Sequence, residues 1–125
     1  MKQLLAGAFC LLAAGSAQAA TLTFLLEGTN PGGRSSYRGT VALTEISEGA
    51  NGEKSGLVTW RVDRSAPVKG IALTTTDSPA RISISFPNRP IPGVALGTIM
   101  ADGSLRLQWY TGGAVFGTEV WTPTR

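Results

Sequence analysis

An all-β fold, an eight-stranded antiparallel up-and-down barrel, is predicted by three observations. No window after residue 20 repeats its apolar residues with the 3.6-residue period of a helix. Short runs that alternate apolar and polar residues recur instead, separated by Gly, Pro, Asn and Asp. The connections hold no segment long enough for a helical crossover between parallel strands, so consecutive strands pair antiparallel. Closure into a barrel removes both sheet edges. A two-sheet β-sandwich is the alternative, because periodicity leaves open whether the first and last strands meet.

The chain opens with MKQLLAGAFCLLAAGSAQAA: one lysine, an apolar run from Leu4 to Ala14, then small residues ending in Ala17-Gln18-Ala19. This is the pattern of a cleavable signal helix over residues 1–19, followed by a single domain over residues 20–125. The apolar run is shorter than the roughly 20 residues of a bilayer span. Export to the periplasm or cell exterior is expected, with no stable membrane anchor after cleavage, and Cys10 leaves with the signal.

Taken in order, TLTFLLE turns Leu22, Phe24 and Leu26 inward, and YRGTVALTE turns Tyr37, Val41 and Leu43 inward. LVTWRVD follows with Val58, Trp60 and Val62, GIALTT with Ile71 and Leu73, and RISISF with Ile82, Ile84 and Phe86. In VALGTIMADGSLRLQWY, Asp102-Gly103 is a two-residue hairpin signal. Taken so, it pairs Met100 with Leu105, Thr98 with Leu107 and Leu96 with Trp109. A second bend at Gly112-Gly113 pairs Trp109 with Phe116, Leu107 with Thr118 and Leu105 with Val120. Trp121 and Glu119 then face outward, and Arg106 lies beside Glu119 as an opposite-charge pair consistent with that register.

The connection EGANGEKSG, Glu48 to Gly56, has the look of a phosphate-cradling loop. Its spacing fails, since Glu53 separates Gly52 from Lys54, and no helix follows it. Asn51-Gly52 is read as turn chemistry between two strands.

Several chemistries are excluded by composition. The sequence has no histidine, and its one cysteine lies in the signal segment, so Ser-His-Asp and Cys-His catalysis and thiolate or imidazole metal sites are ruled out of the domain. Neither G-x-S-x-G nor S-x-x-K occurs. All eight acids are assigned to strand ends, turns or the outer face, so no carboxylate pair is expected within one cleft. Without Lys2 the net charge falls from +3 to +2, and the basic residues are scattered singly, which argues for neither nucleic acid nor an anionic membrane as partner; no nucleic-acid partner is expected. No enzyme, cofactor or metal is expected.

Aromatic residues are the remaining functional candidates. Trp60, Trp109, Phe24, Phe86, Phe116 and Tyr37 point inward and either line a pocket for a small apolar ligand or fill the core. Trp121 and Tyr110 on the outer face, with Arg89 in the proline-rich loop FPNRPIPG, are candidates for contact with a partner protein.

With Gly-Thr at strand starts, tryptophan inside and a meander of eight strands, the chain resembles the calycin-type barrels, the lipocalin and avidin group. Its ending, DGSLRLQWYTGGAVFGTEVWTP, is similar to the ends of small uncharacterised exported bacterial proteins. TLTFLLEG lacks the G-x-W that lipocalins carry near the first strand, so the resemblance bears on architecture. The expected function is that of an exported, non-catalytic binding module. It would recognise a small apolar ligand, or an envelope or extracellular protein, at the barrel mouth or its loops. The alternative is a protein-interaction component of the cell envelope, an adhesion-type or protease-inhibitor-like barrel.

Overall fold

A computed structural model describes residues 21–33, 35–87, 93–111 and 114–124. Its strands are β1 (Leu22–Thr29), β2 (Ser36–Glu48), β3 (Lys54–Val62), β4 (Val68–Thr74), β5 (Arg81–Phe86), β6 (Gly93–Ile99), β7 (Leu105–Thr111) and β8 (Ala114–Pro123). A short 3-10 turn, Pro31–Gly33, lies between β1 and β2. Each strand pairs antiparallel with the next, and β8 returns to β1, Phe24 opposite Pro123 and Thr29 opposite Thr118. The sheet is therefore a closed barrel rather than a sandwich. The expected inward residues of β1, β2, β3 and β5 all face in, with Phe24, Leu26, Val41, Leu43, Val58, Ile82, Ile84 and Phe86 fully buried.

Three strands turn the opposite way from the sequence reading: β4, β6 and, through a bulge, β8. Ile71 and Leu73 on β4 are 55% and 49% exposed, while Gly70, Ala72 and Thr74 face inward. On β6, Val94 and Leu96 are exposed and Ala95 and Ile99 are buried. Volume explains both. The neighbouring strands β3, β5 and β7 send in the rings of Trp60, Phe86 and Trp109, whose centroids lie 5.0 to 6.2 Å apart. Between such rings the wall has room only for small side chains, and a small barrel mixes large and small residues inside to fit. A Cβ on Gly70 would come within 2.8 Å of the Phe86 ring.

The β6 reversal arises in its turn. The Met100 N–H donates to the Ser104 carbonyl (2.8 Å) and the Gly103 N–H to the Met100 carbonyl (3.0 Å), with Gly103 at φ 90°. Ala101, Asp102 and Gly103 thus form a three-residue loop ending in a left-handed residue, not the two-residue bend expected. One extra loop residue moves every partner by one: Ile99 lies opposite Leu105, Gly97 opposite Leu107 and Ala95 opposite Trp109. Asp102 stabilises the loop, its carboxylate accepting from the Ser104 hydroxyl (2.6 Å) and N–H (2.9 Å), and these bonds hold its carboxyl below the usual range.

A second shift of one residue, between Trp109 and Tyr110, resets β8. Trp109 lies opposite Gly117, Leu107 opposite Glu119, Arg106 opposite Val120 and Leu105 opposite Trp121. The expected partners Phe116, Thr118 and Val120 are all displaced. Trp121 is wholly buried and Glu119 is 1% exposed, so neither is on the outer face and the Arg106–Glu119 pair does not exist. The bulge absorbs Phe116, whose side chain lies outside the described residues.

The segment from Glu48 to Gly56 joins β2 to β3 as a turn, Gly49 donating to the Glu53 carbonyl (2.7 Å) and Gly52 to the Gly49 carbonyl (3.2 Å). Lys54 does not reach outward as a phosphate lysine would. Its ammonium donates to the Gly52 carbonyl (3.0 Å) and sits 3.5 Å from the Glu48 carboxylate.

Candidate functional site

One end of the barrel carries the β1–β2, β3–β4, β5–β6 and β7–β8 connections. Just inside this mouth sits Glu119, a buried carboxylate surrounded by aromatic side chains. On β8 it lies between Leu107 of β7 and Gly28 of β1. A buried carboxylate is costly unless its lone pairs are occupied, and here aromatic side chains occupy them. Oε1 accepts from the Trp121 indole N–H (2.8 Å) and the Trp60 indole N–H (3.1 Å). Oε2 accepts from the Tyr37 hydroxyl (2.5 Å) and from the same Trp60 N–H (3.1 Å).

Three strands supply these donors: β2 brings Tyr37, β3 brings Trp60 and β8 brings Trp121 beside Glu119 itself. Alternation places each of them inward. Among the described residues the two ion pairs, Arg38–Glu27 and Lys54–Glu48, leave Glu119 without a cationic partner. Burial therefore pushes its carboxyl above the usual carboxylate range, and the hydrogen bonds of Tyr37, Trp121 and Trp60 oppose that rise.

Around this network the expected inward residues gather in two groups. Trp60, Phe86 and Trp109 stack edge-on and tilted near the mouth, with Tyr37 beside them and Val62 and Val68 packed on the cluster. Phe24 lies deeper, 5.9 Å from Trp121. Trp60 and Tyr37 are only half-buried, and their polar atoms are tied to Glu119.

The candidates expected on the outside separate. Tyr110 is half-buried on the outer wall, opposite Val94, its hydroxyl donating to Gln108 (3.1 Å). Trp121 belongs to the interior network, and Arg89 lies outside the described residues. Among the described residues no cluster of three or more Asp, Glu, His or Cys is placed to hold a metal ion, and Glu119 is the one carboxylate turned inward.

Glu119 and Trp121 were missed because the expected register put their strand the other way round. The available signal was volume: Glu119 and Trp121 share a face, and a tryptophan outweighs Val120 in any choice of which face is buried. Compared with family models, curated proteins and solved structures, the chain matches none.

Proposed function

We propose that the chain is an exported, non-catalytic binding module that takes a small, planar, apolar ligand at the mouth, against the faces of Trp60 and Tyr37. The observation that carries this reading is the anchoring of both half-buried rings. Each is held by a hydrogen bond from its polar atom to a carboxylate buried beneath it. Rings fixed in this way lose little freedom on binding, and preorganised surfaces bind more tightly for the same contact. Val62 and Val68, partly buried beside them, extend the apolar rim. A lone inward carboxylate gives no acid/base pair for hydrolysis.

Titration of the intrinsic tryptophan emission with anilinonaphthalene sulfonamide, an uncharged aromatic probe, tests the proposal. Saturable binding is expected, weakened at least ten-fold in Trp60→Leu with the far-ultraviolet dichroism unchanged. Absence of saturable binding, or equal affinity in Trp60→Leu, overturns it.

A further inference from the structure

The outer wall of the barrel is chemically two-sided. Strands β3 to β7 contain no acidic residue, whereas their exposed basic side chains are Arg61, Lys69, Arg81 and Arg106. The same wall holds most of the exposed large aliphatics: Leu57, Ile71, Leu73, Val94 and Leu96. Register places them together. Leu57 is opposite Ile71, which is opposite Ser85, which is opposite Val94; one rung further, Leu73, Ser83 and Leu96 stand in line. Two aliphatic ridges on β4 and β6 thus flank the small serines of β5. Lys69 bounds the patch on the mouth side, and Arg81 and Arg106 bound it on the other, with the exposed acids Asp77 and Asp102 confined to the turns beyond them. Among the described residues the remaining strands, β1, β2 and β8, carry Glu27, Arg38, Glu45 and Glu48 outward and two exposed large aliphatics, Leu25 and Val120.

Contiguous apolar surface on a soluble scaffold marks a contact site, and its charged border selects the partner. A second copy of the chain fits poorly. A two-fold contact through the patch would bring Lys69 of one molecule toward Arg81 of the other, like charge against like. An anionic surface fits well. The wall is also convex, which limits contact with a rigid protein face but not with a fluid bilayer. Closure of the barrel leaves its backbone groups paired between strands, the condition for backbone to lie against hydrocarbon. The modest net charge of the whole chain, +3, hides this asymmetry.

We infer that the β3–β6 wall docks reversibly on an anionic lipid bilayer surface, the aliphatic ridges entering the headgroup layer and Lys69, Arg81 and Arg106 pairing with lipid phosphates. This site is separate from the mouth and does not depend on it. Co-sedimentation of the full chain with phosphatidylcholine vesicles, with and without 30% phosphatidylglycerol (about one lipid in three, enough for a strongly negative surface potential), tests it. The apolar residues 4–14 are common to every variant, so differences between variants report on the wall.

Binding is expected only with phosphatidylglycerol, to weaken on raising salt, and to fall at least ten-fold in Ile71→Ser/Leu73→Ser and in Lys69→Glu/Arg81→Glu. Leu25→Ser on the opposite wall should bind like the unaltered chain. Equal binding to neutral vesicles, equal loss in Leu25→Ser, or no vesicle binding alongside concentration-dependent dimers or capture by an acidic protein would each overturn the inference. Native-like dichroism in each variant excludes unfolding as the cause of a loss.

Discussion

Two ionisable side chains are buried at opposite ends of this barrel, and they are accommodated in different ways. Lys54, at the start of β3, has a long apolar stem that lines a water-sized hollow with Leu43, Ile46, Ala72 and Thr74. Its ammonium reaches the rim, where the Gly52 carbonyl and the Glu48 carboxylate meet it. The charge has been carried out to partners near water. Glu119 has a short side chain and cannot do this. Donors are brought to it instead, from Tyr37, Trp60 and Trp121, all of them neutral. A long side chain exports its charge; a short one imposes the arrangement of its surroundings. That is why the Glu119 end holds an organised aromatic mouth and the Lys54 end holds a turn.

The contrast is broken most severely by removing the Glu119 surroundings. Trp121→Ala deletes a wholly buried ring and one of the donors, and should destabilise by about 3 to 5 kcal/mol in urea unfolding. A loss below about 1 kcal/mol would return Trp121 to the surface. Tyr37→Phe keeps the ring and removes only the hydroxyl, leaving Oε2 with a share of the Trp60 N–H. The expected cost is about 1 to 3 kcal/mol at neutral pH. Because one of the bonds holding the carboxyl down is gone, the Glu119 pKa should rise further, readable by carboxyl infrared titration.

The pH dependence sharpens the same point. The folded-state pKa of Glu119 lies above its ordinary value of 4.5, so the native state favours the protonated acid. Its favourable contribution is fully present below that value and is lost as pH rises through the folded pKa. Glu119→Gln imitates the protonated form, with its amide able to donate to the Tyr37 oxygen. Its melting temperature relative to the parent chain should therefore climb as pH rises from about 4.5, then level off. A difference that stays flat with pH would show that Glu119 is charged throughout the range. The smallest effect is expected at the other end. Lys54→Met keeps the stem and drops the charge, and should change stability by less than about 1 kcal/mol.

Much of this architecture was legible in the chain itself. Alternation on β1, β2, β3 and β5 placed Phe24, Leu26, Tyr37, Val41, Leu43, Val58, Trp60, Ile82, Ile84 and Phe86 on the inner face, and the absence of a helical period gave the all-β class. Alternation has a period of two, so it names two faces without saying which is inside. On β4 the choice between Ile71/Leu73 and Gly70/Ala72 went to the aliphatics on hydrophobicity. The interior took the small residues, because Phe86 and its neighbours had already claimed the space.

The order and antiparallel pairing of consecutive strands were thus determined locally, by turn residues and apolar alternation that act over a few positions, whereas the β1–β8 closure was not. Two single-residue decisions, the third loop residue before β7 and the bulge in β8, were settled only by tertiary packing. Each shifts a whole strand between wall and interior at little local cost, so it is resolved where side-chain volume and hydrogen-bond satisfaction are summed across the closed barrel. Glu119 becomes a buried carboxylate, and the mouth an organised site, only through the second of them.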